Sequence, residues 1–173
     1  MSLQKAMVSS KTNEWATPQS LFDKLDAEFH YDLDVASTDE NTKCYQHYTQ
    51  KDNGLIQPWQ FISKSACWMN PPYGGQTGLW IQKAHEESRK GATVVCLIVS
   101  STDRSYWHDF IFPFAAQIRF IRGRITFGEA KTTAPFASAI VIFSQQEYNP
   151  KVVYFQRART VTLLSPPVPN TTT

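Results

Sequence analysis

The feature that most narrows the possible folds is the run Thr93–Val99 (TVVCLIV), in which only the first residue is polar. A strand facing solvent on one side alternates apolar and polar residues, whereas one that is apolar throughout must be covered on both faces. The run therefore predicts a central strand with helices on both sides of its sheet. The neighbouring segments agree. Pro18 suits a first helical turn that Thr17 is placed to cap, and Leu21, Phe22, Leu25 and Phe29 fall on one face of the helix that follows. Tyr31 to Val35 reads as a short buried strand ending at Ala36 and Ser37, and Ala66 to Met69 as a second strand. Leu79 to Arg89 has helical spacing and stops at Gly91, and Thr102-Asp103 is placed to cap a helix around Ser105 to Phe112. Ile118 to Phe127, Ala139 to Phe143 and Val152 to Gln156 alternate like a hairpin system. Strand and helix in alternation, closed by antiparallel strands, is an α/β pattern with a mostly parallel sheet.

A chain of 173 residues has room for one such domain. Its expected limits are residues 14–160, with a polar, aperiodic leader over 1–13 and a Pro- and Thr-rich disordered tail over 161–173. The formal charge of +2 permits contact with nucleic acid without the basic excess of a protein that coats it. Cys44, Cys67 and Cys96 are odd in number and lack CxxC spacing, which argues against a disulfide framework or a structural zinc site and for reduced thiols in the core. The N-terminal residues show no signal-peptide run, and the longest apolar run is too short to span a bilayer. The expected setting is the reducing cytoplasm.

The second strand runs straight into Asn70-Pro71-Pro72-Tyr73. Two prolines forbid regular structure, so the strand must end in a rigid loop. With each position matching at about 5%, such a tetrapeptide would arise by chance on the order of once in a thousand chains of this length. In open α/β sheets, ligands bind beyond the carboxyl ends of the strands, which is where this loop and Ser37 are expected. The tetrapeptide resembles the Asp/Asn/Ser-Pro-Pro-Tyr signature of the amino-methyltransferases. The resemblance extends to the phage and bacterial DNA N-6-adenine methyltransferases of the Dam-like type: Trp15 to Pro18 matches their opening Trp-x-Thr-Pro, Leu33 to Ala36 their Leu-Asp-Val-Ala, Asp52 to Leu55 an Asp-Gly-Leu-like stretch, and Gly123 to Phe127 their Gly-Arg-x-x-Phe. It covers about Trp15 to Phe143, and only the tetrapeptide is highly specific by itself.

The resemblance implies a Rossmann-like sheet and transfer of a methyl group from S-adenosylmethionine to N6 of an adenine flipped out of DNA. Asn70, Pro71, Pro72 and Tyr73 would be the catalytic residues. Adenine's amino group is a poor nucleophile because its lone pair is delocalised into the ring. An acceptor on each amino hydrogen, here the Asn70 side-chain oxygen and the Pro71 carbonyl, localises that pair. Tyr73 would stack on the base for about 1–3 kcal/mol, with Phe127 and then Phe136 as candidates for a second aromatic face. Trp15, Thr17, Pro18, Asp34, Ala36 and Asp52 correspond to the cofactor-binding positions. Asp52 reads equally as an ordinary Asp-Asn-Gly turn. The segment after the first strand lacks the Gly-x-Gly turn of many methyltransferases. Asp34 and Asn70 lie only 36 positions apart, so the second and third strands of the usual sheet are expected to be shortened or missing. Arg119, Arg122 and Arg124, with Lys131 nearby and Arg104 as a weaker candidate, are read as phosphate contacts or as a solvated edge strand. Sequence reading would fall to the loops 74–78 and 128–136. His30, His47, His85 and His108 show no ligand spacing, and the reaction needs no metal. The same tetrapeptide also suits cytosine N4, RNA bases or protein glutamine, and a non-catalytic nucleic-acid binder could retain the fold.

Overall fold

The computed structural model describes residues 15–60, 65–128, 130–146, 148 and 151–155. The leader and tail expected at 1–13 and 161–173 lie outside them. One seven-stranded sheet runs through the described residues in the order β2-β1-β3-β4-β6-β5-β7, with β1 Leu33–Asp34, β2 Gln46–His47, β3 Ala66–Met69, β4 Thr93–Val99, β5 Gln117–Ile121, β6 Ser138–Phe143 and β7 Val152–Phe155. Strands β2, β1, β3 and β4 are mutually parallel, and β6 is inserted antiparallel between β4 and β5. The two-residue β1 and β2 account for the short spacing between Asp34 and Asn70.

The apolar run of β4 is buried as its composition demands, and its alternate residues feed two cores. On one face Val94, Cys96 and Ile98 meet Trp59, Trp80, Ile81, Ala84, Trp107 and Ile111. These come largely from helix α2 (Thr77–Arg89), from a π-turn (Trp107–Ile111) and from the loop before β3. On the other face Val95, Leu97 and Val99 meet Leu21, Phe22 and Leu25 of helix α1 (Gln19–Phe29), together with Ile125, Phe127, Ala134 and Phe136. The result is three layers, with helices on both faces. All three cysteines are buried free thiols.

Three local expectations are corrected. Pro18, not Thr17, is the N-cap of α1, and the cap has no side-chain hydrogen bond, because the Thr17 hydroxyl is turned toward Asn70. The helix expected around Ser105 to Phe112 is present over 105–114, but it runs through the π-turn into a three-residue α-helix, α3 (Phe112–Phe114), and has no Thr102 or Asp103 side-chain cap. The C-terminal strands are not a run of hairpins: β7 pairs with β5 in parallel at the sheet edge, and β5 already ends at Ile121 before Gly123, whose φ is 78°.

Candidate active site

The carboxyl end of β3 delivers Asn70 to the α1 side of the sheet, since Trp68, two residues earlier, lies in that core. The loop beyond it is held by Thr77 in the first turn of α2. The Thr77 hydroxyl donates to the Pro72 carbonyl at 3.3 Å and accepts from the Gly74 N–H at 3.1 Å. Prolines at 71 and 72 remove backbone freedom from what remains.

Asn70 is oriented from a distance of more than fifty residues. Its amide nitrogen donates to the Trp15 carbonyl at 2.6 Å and to the Thr17 hydroxyl at 3.2 Å. A carbonyl accepts only, so the amide can be seated in one way. Its other atom, Oδ1, is thereby turned away from this anchor, buried and without a partner among the described residues. An unmet buried acceptor costs about 1–3 kcal/mol, and its presence on a fixed side chain calls for a functional explanation. Segment 15–17 is strapped down further on: the Gly128 N–H donates to the Ala16 carbonyl at 2.8 Å.

Around this amide stand Trp15, Tyr73, Phe127 and Phe136. Trp15 meets Phe127 and Phe136 edge-on, with ring centroids 5.3 and 5.1 Å away. Tyr73 meets the same two rings at 6.2 and 5.5 Å, also edge-on. The structure thus brings together the three aromatic residues expected around a base. It does not set Phe127 or Phe136 parallel to Tyr73 as the two faces of a slot. Edge-to-face contact is the arrangement that ring quadrupoles favour. The Tyr73 hydroxyl donates to the Leu97 carbonyl at 3.5 Å, and burial raises its pKa well above the ordinary phenol value.

Asp34, 2% exposed, ends β1. Its carboxylate accepts from the Lys43 N–H at 3.0 Å and the Ala36 N–H at 3.3 Å. Burial nevertheless outweighs these bonds and pushes its pKa up to about 6. Asp52 is exposed, and its Oδ2 accepts from the Thr49 N–H at 2.8 Å and hydroxyl at 2.6 Å, which lowers its pKa. These bonds close the turn that the Asp-Asn-Gly sequence suggests. Pro18 is half-buried at the head of α1. Gly54 lies against the end of β1: a Cβ there would sit 2.3 Å from the Val35 carbonyl oxygen.

Further unpartnered buried oxygens went unnoticed in the sequence. Besides Asn70 Oδ1, the hydroxyls of Ser37, Ser100 and Ser138 are buried without a hydrogen bond among the described residues. They follow β1, follow β4 and open the antiparallel β6, so all stand at one edge of the sheet. This is the edge at which open α/β sheets bind ligands. A shallow groove between Leu55 and Leu79, Gln82, Lys83 and Glu86 carries none of these residues.

The basic cluster is divided by the fold. Arg119 is 4% exposed and points into the α1 face, where its two terminal nitrogens donate to both carboxylate oxygens of Glu28 and its Nε to Gln117 at 2.7 Å. It also lies over the Phe29 ring, 5.4 Å from the centroid. The expectation of a phosphate contact at Arg119 is therefore corrected: it is a clamp between β5 and α1. Arg122 and Arg124 are exposed in the loop beyond β5, not on alternating strand positions. Arg119→Gln is expected to cost about 2 kcal/mol of stability in a denaturant titration.

The family model of the DNA N-6-adenine-methyltransferases (Dam) matches residues 4–161. The chain belongs to that family. Members with curated descriptions include the DNA N-6-adenine-methyltransferase of Haemophilus phage HP1, 31% identical over 116 residues, covering 65% of each chain. That of Escherichia phage T1 is 28% identical over 113 residues, 65% of this chain and 46% of the relative. The chain thus spans about half of one relative and just under two thirds of the other. Among solved structures, a candidate class I S-adenosylmethionine-dependent methyltransferase from Listeria monocytogenes superposes with a TM-score of 0.54 at 12% identity, over 89% of this chain and 69% of its own. The Rossmann-like methyltransferase fold implied by the Dam family motifs is therefore the fold of this chain. Among the described residues, no helix is long and apolar enough to cross a membrane.

Proposed function

We propose that this chain transfers a methyl group from S-adenosylmethionine to N6 of adenine in DNA. The observation that carries the proposal is the Asn70 amide. Anchored through its nitrogen by Trp15 and Thr17, it presents a buried, unpaired acceptor beside Tyr73 in a rigid Pro-Pro loop. An amino hydrogen is what such an oxygen lacks. The Pro71 carbonyl supplies the second acceptor, and together the two draw electron density back onto the exocyclic nitrogen.

The residues present suit the cofactor: an acidic side chain at the end of β1, an unpartnered Ser37 hydroxyl beside it and an apolar wall beyond. When bound, S-adenosylmethionine supplies a methyl group already activated by its sulfonium. No strong base is then needed before attack, and the work left to this chain is aim and exclusion of water. Asp34, Ala36 and Ser37 would hold the cofactor from the β1 end, with Trp15, Thr17 and Pro18 closing over it and Asp52 nearby. An adenine would reach Asn70 once the edge contacts of Trp15, Tyr73, Phe127 and Phe136 open, leaving the duplex to do so. Arg122 and Arg124 face outward, where they would meet phosphates.

The raised pKa of Asp34 has a consequence for binding. In an acid, a folded-state pKa above the unfolded one opposes folding: its contribution is fully favourable only below the unfolded value, near 3.8, and is lost as pH rises through about 6. A cationic cofactor held near this carboxylate favours its charged form. Titrating the protein with S-adenosylmethionine in buffers of different ionisation enthalpy should therefore show release of up to about half a proton near pH 6 and almost none near pH 8. Proton release unchanged in Asp34→Asn would remove Asp34 from the cofactor site.

The activity itself is tested by offering radiolabelled S-adenosylmethionine to unmethylated DNA, RNA and protein. Label is expected in DNA, and label confined to RNA or protein would overturn the reading.

A further inference from the structure

Ser138 is 1% exposed, and its hydroxyl has no partner among the described residues. It pairs with Val99 across the β4–β6 ladder, and Val99 belongs to the α1-side core, so the Ser138 side chain shares its face with Asn70, Phe127 and Phe136. Extending the β3–β4 register by one residue sets Asn70 level with Leu97. The two side chains are then separated by two strand spacings and two residues, about 12 Å between Cα atoms. Between them the Tyr73 hydroxyl reaches the Leu97 carbonyl. Side chains stand roughly perpendicular to a sheet, so this lateral interval, less about 3 Å for each of two hydrogen bonds, leaves about 6 Å, room for the ring of a base held by its amino group at one side and a ring nitrogen at the other.

We infer that Ser138 is a specificity residue of the base pocket, its hydroxyl donating to a ring nitrogen of the adenine whose amino group meets Asn70. This rests on the reading of the chain as an adenine methyltransferase. A hydroxyl kept at the end of the apolar run Ala139–Phe143 has no use in the packing, where an alanine would serve without leaving a donor unmet. A ring-nitrogen contact also separates adenine from bases that share only an amino group. A site built to hydrogen-bond its substrate rejects analogues that lack the matching atom, because its own buried group is left unpaired.

The test uses short duplexes whose target adenine, mapped beforehand by sequencing methylated product, is replaced by 1-deaza-, 3-deaza- or 7-deazaadenine. The wild-type protein should lose about tenfold in kcat/KM with one of the three beyond any loss seen with the others. Ser138→Ala should lose a similar factor on adenine and show no further loss with that one base, while its melting temperature stays equal or rises. Changes in the intrinsic reactivity of the amine are common to both proteins, so the ratio isolates the contact. Identical rankings of all four bases by the two proteins would overturn the inference, as would a wild type indifferent to every deaza substitution. A wild type that methylates no adenine in any duplex would instead overturn the functional reading on which it stands.

Discussion

Asn70→Ala should lower kcat for methyl transfer by about 10²–10³-fold, the loss expected when one preorganised hydrogen-bonding group is removed from a reacting centre. Affinity for S-adenosylmethionine, read by calorimetric titration, should largely persist. Equal loss of both would assign the loop an architectural role only. Asn70→Asp distinguishes the proposed geometry more sharply, although aspartate is one of the residues found at this place in the wider signature. In this chain the amide nitrogen faces the Trp15 carbonyl at 2.6 Å. A carboxylate would set two acceptors against each other, so this variant should be nearly inactive at neutral pH and recover as the pH falls and the side chain gains a proton to donate. Thr17→Val, which removes the weaker of the two anchors, should have a smaller effect, mainly on kcat.

Gly54→Ala is expected to have the largest effect on stability. A methyl group at this position meets the Val35 carbonyl oxygen at 2.3 Å and the Trp80 ring at 3.0 Å. Neither neighbour is free to retreat: Val35 donates its N–H to the Trp68 carbonyl at 3.0 Å, Trp80 stacks on Trp59, and the Trp59 indole N–H donates to the Gly54 carbonyl at 2.7 Å. Overpacking of this kind costs about 3 kcal/mol, or roughly 10 °C in Tm for a domain of this size. A thermal melt of the variant checks it. An unchanged Tm would show that the loop before β3 can yield, and with it the support of the β1 end where Asp34 stands.

The glycine of the Asp-Asn-Gly motif was visible in the sequence, but its reason was not. The residues that were legible are those whose environment is set by their neighbours in the chain. Strands β3 and β4 begin and end where their apolar runs do, because an unbroken run has no solvent face to offer. Asn70 and Tyr73 were legible because two prolines leave the loop few conformations. What escaped depends on partners far along the chain. Thr17 has the residue type of a helix cap, yet its hydroxyl is taken by Asn70, 53 positions away. Arg119 alternates on a strand like a solvent-facing cation, but Glu28, 91 positions away, draws it inward. Ser138 looks like the polar flank of a strand starting at Ala139, and only its register opposite Val99 shows that it is buried on the same face as the Asn70 loop. For Thr17 and Arg119 local preference was overridden by a tertiary hydrogen bond, and for Ser138 by strand register.

The most direct measurement is to incubate the purified chain with S-adenosylmethionine and unmethylated DNA, digest the DNA to nucleosides and weigh the products. N6-methyldeoxyadenosine is expected from the wild type and should vanish with Asn70→Ala. N4-methyldeoxycytidine in its place, or undiminished N6-methyldeoxyadenosine from the Asn70→Ala protein, would contradict a catalytic role for the buried amide oxygen.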